Sequence, residues 1–525
     1  MKILFSIMFL SLLFITGCEA VAGERHVYSG KPRFAYGFSS HMVLQRNSKV
    51  NIWGFANPGT RVAVSLGGQK VTGKADGHGK WLVQFASMGA GGPHVLQLES
   101  GGTVVKLDNV MLGDVWICSG QSNMRYGLDR QTGKDKDGPR VFADELATLL
   151  KQRTFPIRHA MDDRGSLNWL EVTHQNVVDR KRNRPGVTAV GYFFAKHLRK
   201  NLGDVPIGII QTGAGGKAIR HFIPKDVQWA NPALRAVWSS RSYKGPTYWE
   251  LLLEKNSTEK LADHENAINA WLNGESSSEA CPAYMPNYPG YLFYKAMPQL
   301  KAMKFKGMVW YQGESDAGRS AVYPQHLEAL IDFYRDYFEF PGMPFIVVML
   351  PPYKSRHYPQ FVAGQLSLAD RKRGVGAAYA PEAGDKQDIH PPKKDIIGER
   401  VALTALAEGY DKDIAYLGPR YESAERLGDR IKVRFRDTAG GLKLANGRRT
   451  LNGFQMGTTD DEGSFENAGA EIGIGSDYVD VMVPEGFRAA DAIHLRYNWT
   501  AFYIPVLYGG NDLPALPFSK KVLLR

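Results

Sequence analysis

The sequence predicts an α/β fold in which a parallel sheet core is flanked by a β region at each end of the chain. Strand-like runs alternate with helical runs from about residue 110 to 410, as in parallel βαβ units. Residues 26–109 and 411–525 instead carry short alternating runs separated by turn signals, as in β-sandwiches. A chain of 525 residues is also too long for one ordinary domain.

The two flanking regions are predicted from alternating or apolar runs. In the N-terminal region these runs are separated by turn signals such as Asn57-Pro58-Gly59, so we expect a sandwich-like arrangement. The predicted strands are Val50–Trp53, Arg61–Leu66, Trp81–Phe85 and His94–Leu98, and then Arg430–Phe435, Asp477–Val483 and Ala492–Tyr497 in the C-terminal region.

The central region carries buried-strand runs and periodic helices in alternation. Residues 247–280 interrupt the pattern and resemble a polar, mostly helical insertion. In such sheets the functional site lies at the carboxyl ends of the strands. The predicted strands are Val110–Cys118, Val205–Gln211, Gly307–Tyr311 and Pro344–Leu350, and the predicted helices are Val190–Leu202 and Asp395–Gly409.

The first residues have the pattern of an export signal, which we assign to residues 1–17. A basic start, Met1-Lys2, precedes an apolar run, and the run ends in Ile15-Thr16-Gly17-Cys18, which resembles a bacterial lipobox. We expect lipidation of Cys18; the alternative is plain secretion with cleavage near Ala20–Ala22. Either outcome predicts an exported bacterial protein, periplasmic or a lipoprotein of the outer membrane or cell surface, with membrane contact only through that anchor.

Charge and cysteine content narrow the function classes. The net charge is +12, but an exported protein with few dense basic runs is not expected to bind nucleic acid. Beyond Cys18 only Cys118 and Cys281 remain, which allow one disulfide but no disulfide framework. No Cys/His cluster has the spacing of a zinc site, so no metal is expected.

Four polar or glycine-rich segments stand where a strand ends or a helix begins. They surround Ser122, Gln211–Lys217, Trp310–Asp316 and Asp388–Pro392. A serine, a histidine beside a carboxylate, and a glycine-rich turn are the components of an acyl-transfer site. Each segment also has an ordinary interpretation as a helix cap, a turn or a solvated loop.

Three short blocks carry a resemblance to a known family. Gly-Gln-Ser-Asn-Met at 120–124, Trp-Tyr-Gln-Gly-Glu-Ser at 310–315 and Asp-Ile-His-Pro at 388–391 resemble the signatures of the sialate O-acetylesterase family. That family belongs to the SGNH (GDSL-like) hydrolases and is related to acetyl xylan esterases. The resemblance implies an SGNH-type core, a three-layer α/β arrangement around a parallel sheet, and hydrolysis without a metal or cofactor.

The resemblance also implies residue roles. Ser122 is expected to be the nucleophile, His390 the general base and Asp388 the first candidate to orient it. Glu314 resembles the acid that accompanies the family's oxyanion donor. Because Gln387 stands where related hydrolases often have Asp, Glu314 or Asp385 remains an alternative partner for the histidine.

The oxyanion hole and the substrate site are assigned in the same way. The resemblance places the Ser122 N–H, the N–H of Gly215 or of its neighbour Gly216, and the Gln312 side chain around the oxyanion. Three cations near the glycine-rich and serine segments suit an anionic sugar, or are surface charges bordering the cleft. They are Arg125, Lys217 and Arg220.

The sequence therefore predicts a serine esterase that removes O-acetyl groups from sialic acid or a related glycan through an acetyl-enzyme. Xylan, pectin or another acidic polysaccharide is the alternative acetylated substrate. An alternative of a different class is a non-catalytic glycan-binding surface lipoprotein built on the same scaffold.

Overall fold

The computed structural model describes most of the chain outside the leader. The described residues are 27–130, 141–152, 156–163, 166–178, 186–239, 266–267, 270, 289–355, 357–445, 450–472, 476–488, 490 and 492–523. The predicted leader 1–17, Cys18 and Cys281 lie outside them, as does nearly all of the predicted insertion 247–280.

The N-terminal region is built from β-strands. One antiparallel sheet has the order β1-β3-β6, while β2 and β7 pair with the long strand β8, and β4 pairs with β5 and β7. The strands are β1 Arg33–Phe34, β2 Val43–Gln45, β3 Val50–Phe55, β4 Arg61–Leu66, β5 Gln69–Lys74, β6 Lys80–Phe85, β7 Gly91–Ser100 and β8 Thr103–Gly120.

Strand β8 belongs to both the N-terminal region and the central sheet. Its first half alternates between partly exposed and exposed residues, and from Leu112 to Gly120 every residue is buried. The predicted boundary at residue 110 therefore falls inside one continuous strand. The strand passes from the N-terminal region into the central sheet without a turn, so the composition of the sequence does not show that both parts belong to one strand.

The central sheet is mixed, and most of it is parallel. Its order is β10-β9-β11-β8-β12-β13-β14, in which β8 lies between β11 and β12 and runs parallel to both. Only β10 with β9 forms an antiparallel pair along this path. The strands are β9 Ile157–Asp163, β10 Ser166–Glu171, β11 Ile207–Gln211, β12 Gly307–Tyr311, β13 Phe345–Val348 and β14 Val375–Ala378.

Two long helices pack together against this sheet. Helix α3 begins after Thr188, whose side chain accepts the Gly191 N–H, and ends at Gly203 with φ 74°. Helix α3 packs closely against α9 at Gly398 of α9. A Cβ at this glycine would lie only 2.5 Å from the Cβ of Phe193 in α3, so the contact requires glycine. The α-helices are α1 Ala143–Lys151, α2 His174–Val178, α3 Ala189–Leu202, α4 Lys225–Ala230, α5 Pro232–Ser239, α6 Tyr291–Ala296, α7 Tyr323–Tyr337, α8 Tyr358–Arg371 and α9 Lys394–Tyr410.

Short 3₁₀ helices complete the connections, mostly in the loops that follow strands. Within the described residues no helix is long and apolar enough to cross a membrane. The 3₁₀ helices are Ile219–Phe222, Pro298–Leu300, Glu314–Arg319, Pro381–Ala383, Glu462–Ser464 and Glu485–Phe487.

The C-terminal region is again all β. It contains two four-stranded antiparallel sheets, ordered β15-β16-β21-β20 and β19-β18-β22-β24, and the pair β17-β23. The strands are β15 Arg420–Leu427, β16 Arg430–Arg436, β17 Leu442–Leu444, β18 Phe454–Gly457, β19 Phe465–Asn467, β20 Ala470–Ile472, β21 Tyr478–Met482, β22 Ala492–Tyr497, β23 Leu507–Gly509 and β24 Phe518–Leu523.

The two flanking regions relate differently to the centre. The N-terminal strands share one continuous hydrophobic core with the central sheet, whereas the C-terminal strands have a core of their own. The C-terminal region docks on the central one through the Tyr503 and Tyr379 hydroxyls and through the Tyr353 N–H, which donates to the Ala501 carbonyl at 3.0 Å. Cys118 is buried in the central core, where burial raises the pKa of its thiol.

A buried carboxylate links the N-terminal region to helix α9. Asp114 on β8 accepts two hydrogen bonds from Arg46, at 3.0 and 2.9 Å, and one from Gln45 at 3.0 Å. The Tyr410 hydroxyl at the end of α9 donates to the same carboxylate at 3.0 Å. Because its oxygens are saturated with donors, this charge is buried without an unpaired oxygen.

We expect Gly120→Ala to lower the free energy of unfolding by roughly 3 kcal/mol or more. Gly120 has φ +142°, and a Cβ there would lie 2.0 Å from the Tyr311 carbonyl oxygen. Chemical denaturation of the purified variants measures the change. The matched control is Gly77→Ala, where a Cβ meets no atom within 4 Å, and a comparable loss in both variants would contradict the prediction.

Candidate active site

The carboxyl ends of three parallel strands meet at one edge of the sheet. Gln211 on β11 is in register with Cys118 on β8, and Tyr311 on β12 is in register with Gly120. A Cβ at Gly213 would lie 2.3 Å from the Gly120 carbonyl oxygen, so the polar segments after these strands start in backbone contact. This contact brings three of the four predicted segments to one place.

The fourth segment completes the site by bringing a histidine within hydrogen-bonding distance of the serine. The Ser122 Oγ lies 2.8 Å from the His390 Nε2, a hydrogen-bonding distance. Ser122 follows β8 directly, while His390 stands in the loop that precedes α9. The side chain of His390 is 36% exposed, so a substrate can approach the pair from solvent.

Asp388 is the carboxylate next to the histidine ring. Its Oδ1 lies 3.8 Å from the His390 Nδ1 and accepts the His390 backbone N–H at 2.8 Å. The first distance is longer than a hydrogen bond, and the Asp388 side chain is 57% exposed. In this arrangement Asp388 shapes the turn that carries His390 and acts on the ring chiefly through its charge.

The two alternative partners for the histidine have other contacts. Asp385 accepts the backbone N–H groups of Gln387 and Asp388 at 2.7 and 3.1 Å, which shapes the same loop. Glu314 accepts a hydrogen bond from the Asn123 side-chain amide. Among the carboxylates that the structure describes, only that of Asp388 lies within 4 Å of the His390 ring nitrogens.

The surroundings of His390 favour its uncharged form. Burial is the largest influence and lowers the pKa of the imidazole below its usual value. The charge of Asp388 opposes this shift, whereas the charges of Lys394 and Arg130 lower the pKa further. A histidine that is neutral near pH 7 can accept a proton from the serine hydroxyl.

The backbone N–H groups of Ser122 and Gly215 are candidate oxyanion donors. A Cβ at Gly215 would lie 3.7 Å from the Ser122 Cβ, so the glycine-rich turn borders the serine directly. Within the described part of the chain, neither the Ser122 nor the Gly215 N–H has a hydrogen-bond acceptor. Gly216 also lies in this turn, with φ +67° and open space around its Cβ position.

The Gln312 amide is buried and already engaged. Its Nε2 donates to the Asp316 Oδ2 at 2.7 Å and lies 3.2 Å from the Lys217 carbonyl, while its Oε1 accepts the Tyr323 hydroxyl at 3.0 Å. In this conformation Gln312 ties the glycine-rich turn to the segment after β12. Direct donation to an oxyanion would require these bonds to exchange, so the structure gives Gln312 a supporting position.

Sequence reasoning missed two residues close to the serine–histidine pair, Asn123 and Lys394. Asn123 donates to Glu314 and, at 2.9 Å, to the Ile389 carbonyl, and its Oδ1 accepts the Lys394 ammonium at 2.5 Å. Burial raises the pKa of Glu314. The available signals were the position of Asn123 directly after Ser122 and a lysine at the first turn of a helix.

The three predicted cations are placed unequally. The Arg125 Nη1 lies 3.5 Å from the Gly213 carbonyl, and the Lys217 Nζ lies 5.6 Å from the Tyr291 ring centre. Burial raises the pKa of Tyr291 to about 12, and the nearby charge of Arg125 opposes that shift. Arg220 is only 2% exposed and lines a small pocket with Asp316.

Comparison with known families decides the class of the protein. The family model described as "Carbohydrate esterase, sialic acid-specific acetylesterase" matches residues 112–284 and 261–406, which together exceed half of the chain. The chain belongs to this family. It is therefore an enzyme, a carbohydrate esterase that acts on O-acetyl groups, which confirms the predicted family and the predicted removal of O-acetyl groups from a carbohydrate. The described residues contain no group of three His, Cys, Asp or Glu side chains placed to hold a metal ion.

Relatives of this carbohydrate esterase match it over most of its length. Mouse sialate O-acetylesterase is 27% identical over 75% of this chain and 77% of its own length. The human protein of that name is 25% identical over 93% of this chain and 92% of its own. A crystal structure of a carbohydrate acetylesterase from Xanthomonas citri is 25% identical, covers 93% of this chain and 99% of its own, and superposes with a TM-score of 0.72.

We expect Asp388→Asn to move the acid limb of the kcat/KM profile of this carbohydrate esterase to lower pH. The Asp388 charge raises the pKa of His390, so its removal lowers that pKa. Because the carboxylate is exposed and 3.8 Å from the ring, the loss of kcat should be far smaller than the roughly 10⁴-fold typical of a buried triad aspartate. A pH series of initial rates measures both, and an acid limb that moves to higher pH would contradict the sign.

Proposed function

We propose that the protein is a serine esterase that removes O-acetyl groups from sialic acid or a related glycan. The observation that carries the proposal is the 2.8 Å contact between the Ser122 Oγ and the His390 Nε2 at the sheet edge where three signature segments meet. A non-catalytic glycan-binding protein would have no need of an uncharged histidine on a serine hydroxyl.

The proposed reaction has two steps. The His390 Nε2 takes the Ser122 proton while Oγ attacks the acetyl carbonyl, and the resulting oxyanion accepts the N–H groups of Ser122 and Gly215. Collapse breaks the bond to the sugar oxygen, which leaves as an alcohol with the proton from His390. His390 then takes a proton from water, which attacks the acetyl-serine; His390 returns that proton to the serine oxygen as acetic acid leaves, and the acid ionises to acetate in solvent.

We also propose that the core is of the SGNH type, with helices on both faces of the parallel strands and a β region on either side. The packing of α3 on α9, with α9 also against β13 and β14, supports a helical layer on one face. The contacts of α8 with β14 and α7 are consistent with helices on the opposite face.

An acidic sugar is the proposed substrate. Arg125 and Lys217 both lie near Tyr291, beside the glycine-rich turn that borders Ser122. An aromatic ring with two cations nearby suits a sugar ring that carries a carboxylate. Sialic acid has such a group, as the names of the mammalian relatives suggest, and an acidic plant polysaccharide has the same chemistry.

Export of the enzyme is proposed from the leader pattern. Residues 1–17 followed by Cys18 have the order of basic, apolar and lipobox segments that lipoprotein signals show. An exported location would place the esterase where acetylated glycans from outside the cell reach it.

We expect Ser122→Ala to abolish acetate release, with a loss of at least roughly 10³-fold in kcat because no acetyl-enzyme can form. The substrates are O-acetylated sialic acids, acetylated xylan, acetylated pectin and a small activated acetate ester. Acetate is measured for wild type and variant at equal folded concentration. Equal release by the two proteins would overturn the serine mechanism, and release from one glycan class names the substrate.

We expect Arg125→Met and Lys217→Met each to raise KM for an acidic acetylated glycan by about tenfold, because each removes one charge-assisted contact. KM for the neutral activated acetate should stay within about twofold, and added salt should reduce the difference. The control is Lys412→Met at an exposed position beyond α9. Equal effects on acidic and neutral substrates would contradict a role in recognising the charge.

A further inference from the structure

A lysine with no solvent exposure lies beneath the proposed serine–histidine pair. Lys394 is the first residue of α9 and stands four positions after His390. Its ammonium donates to the Asn123 Oδ1 at 2.5 Å and lies 4.9 and 5.3 Å from the ring centres of Tyr126 and Tyr311. A buried ammonium is costly, so a fold that retains one has a specific arrangement of partners around it.

The amide that Lys394 contacts joins both reacting residues. Asn123 is the neighbour of Ser122, and its Nδ2 donates at 2.9 Å to the carbonyl of Ile389, the neighbour of His390. The same Nδ2 donates to the Glu314 carboxylate. One side chain therefore connects the serine turn, the histidine loop and the segment after β12.

The ammonium determines which way this amide points. With Lys394 donating to Oδ1, the Nδ2 group must face the Ile389 carbonyl and Glu314, which are both acceptors. A reversed amide would place its NH₂ group against the ammonium and its oxygen against a carbonyl and a carboxylate. Both contacts would be repulsive, so the cation selects the orientation that ties the two loops together.

Charged and titratable side chains from several neighbouring segments surround the Lys394 ammonium. Glu314 and Asp388 raise the pKa of Lys394, while burial lowers it to about 7. The neighbours on the serine segment and β12 are the Tyr126 and Tyr311 rings. Lys394 and Arg130 in turn lower the pKa of His390, so the lysine charge acts on the base as well as on the amide.

We propose that Lys394 is a positioning residue of the esterase, whose ammonium, through Asn123, sets the relative placement of the Ser122 hydroxyl and the His390 ring. The inference rests on the proposed function, because it assigns a role toward the serine–histidine pair. It concerns the geometry and charge state of that pair and involves no contact of Lys394 with the substrate.

Lys394→Met tests this role, since methionine has similar length and no charge. We expect kcat to fall roughly 100-fold with KM within about threefold of wild type, because misplacement of reacting groups slows the chemical step. The acid limb of the kcat/KM profile should move to higher pH, because a positive charge that lowers the pKa of His390 has been removed. A merely structural role would lower the fraction of folded enzyme and leave kcat per folded molecule unchanged.

Two further variants sharpen the test. Lys393→Met is the matched control, because this adjacent lysine is exposed and bonds only the Glu382 carbonyl among described contacts, so wild-type kinetics are expected. In Lys394→Ala, added methylammonium or ethylammonium should restore part of kcat by filling the vacated cation site. Wild-type kcat and an unmoved acid limb in Lys394→Met would overturn the inference.

A second route remains where the lysine variants fail to fold. Asn123→Ala breaks the same connection from its other end and should lower kcat by a similar factor, and wild-type kcat in this variant would overturn the inference. The double variant with Lys394→Met should be no slower than the worse single variant, because both remove one connection. Activity in Ser122→Ala would instead overturn the proposed function, so the two failures are distinguishable.

Discussion

The site depends on the close approach of three backbones at the end of β8. This strand leaves the N-terminal region, crosses the middle of the central sheet and ends at Gly120, with Tyr311 and Gly213 in direct backbone contact. Only glycine fits at these contacts, because a Cβ would overlap a carbonyl oxygen. The polar segments that follow the strands therefore begin within a few ångströms of one another, and Ser122 emerges at their meeting point.

Hydrogen bonds among polar side chains close to the site then fix the relative positions of the segments that carry Ser122 and His390. Asn123 and Lys394 are buried beside the serine and histidine, Glu314 is partly exposed, and hydrogen bonds link the three side chains in series. An unpaired amide or ammonium at this depth would be costly, so the hydrogen bonds of Asn123 and Lys394 fix each of these two side chains in one orientation. The same surroundings keep the His390 ring partly desolvated, which favours the uncharged base that the proposed reaction needs.

Much of the fold was predictable because local patterns and tertiary structure agree. The runs Arg61–Leu66, Gly307–Tyr311 and Ala492–Tyr497 are strands with the predicted bounds, and α9 extends the predicted helix by one residue at each end. The strands β9, β10 and β14 were not predicted. β14 is a short run, Val-Gly-Ala-Ala, whose burial comes from its neighbours rather than from its own periodicity.

The sequence by itself determined the family and the reaction class, because short segments place particular residue types at the ends of strands. Only the tertiary structure decided how those segments meet. It brought Ser122 within 2.8 Å of His390 across 268 residues, engaged the Gln312 amide within the protein and buried Arg220 away from solvent. It also placed Lys394 against Asn123. These outcomes follow from packing between distant segments, which no local pattern in the chain encodes.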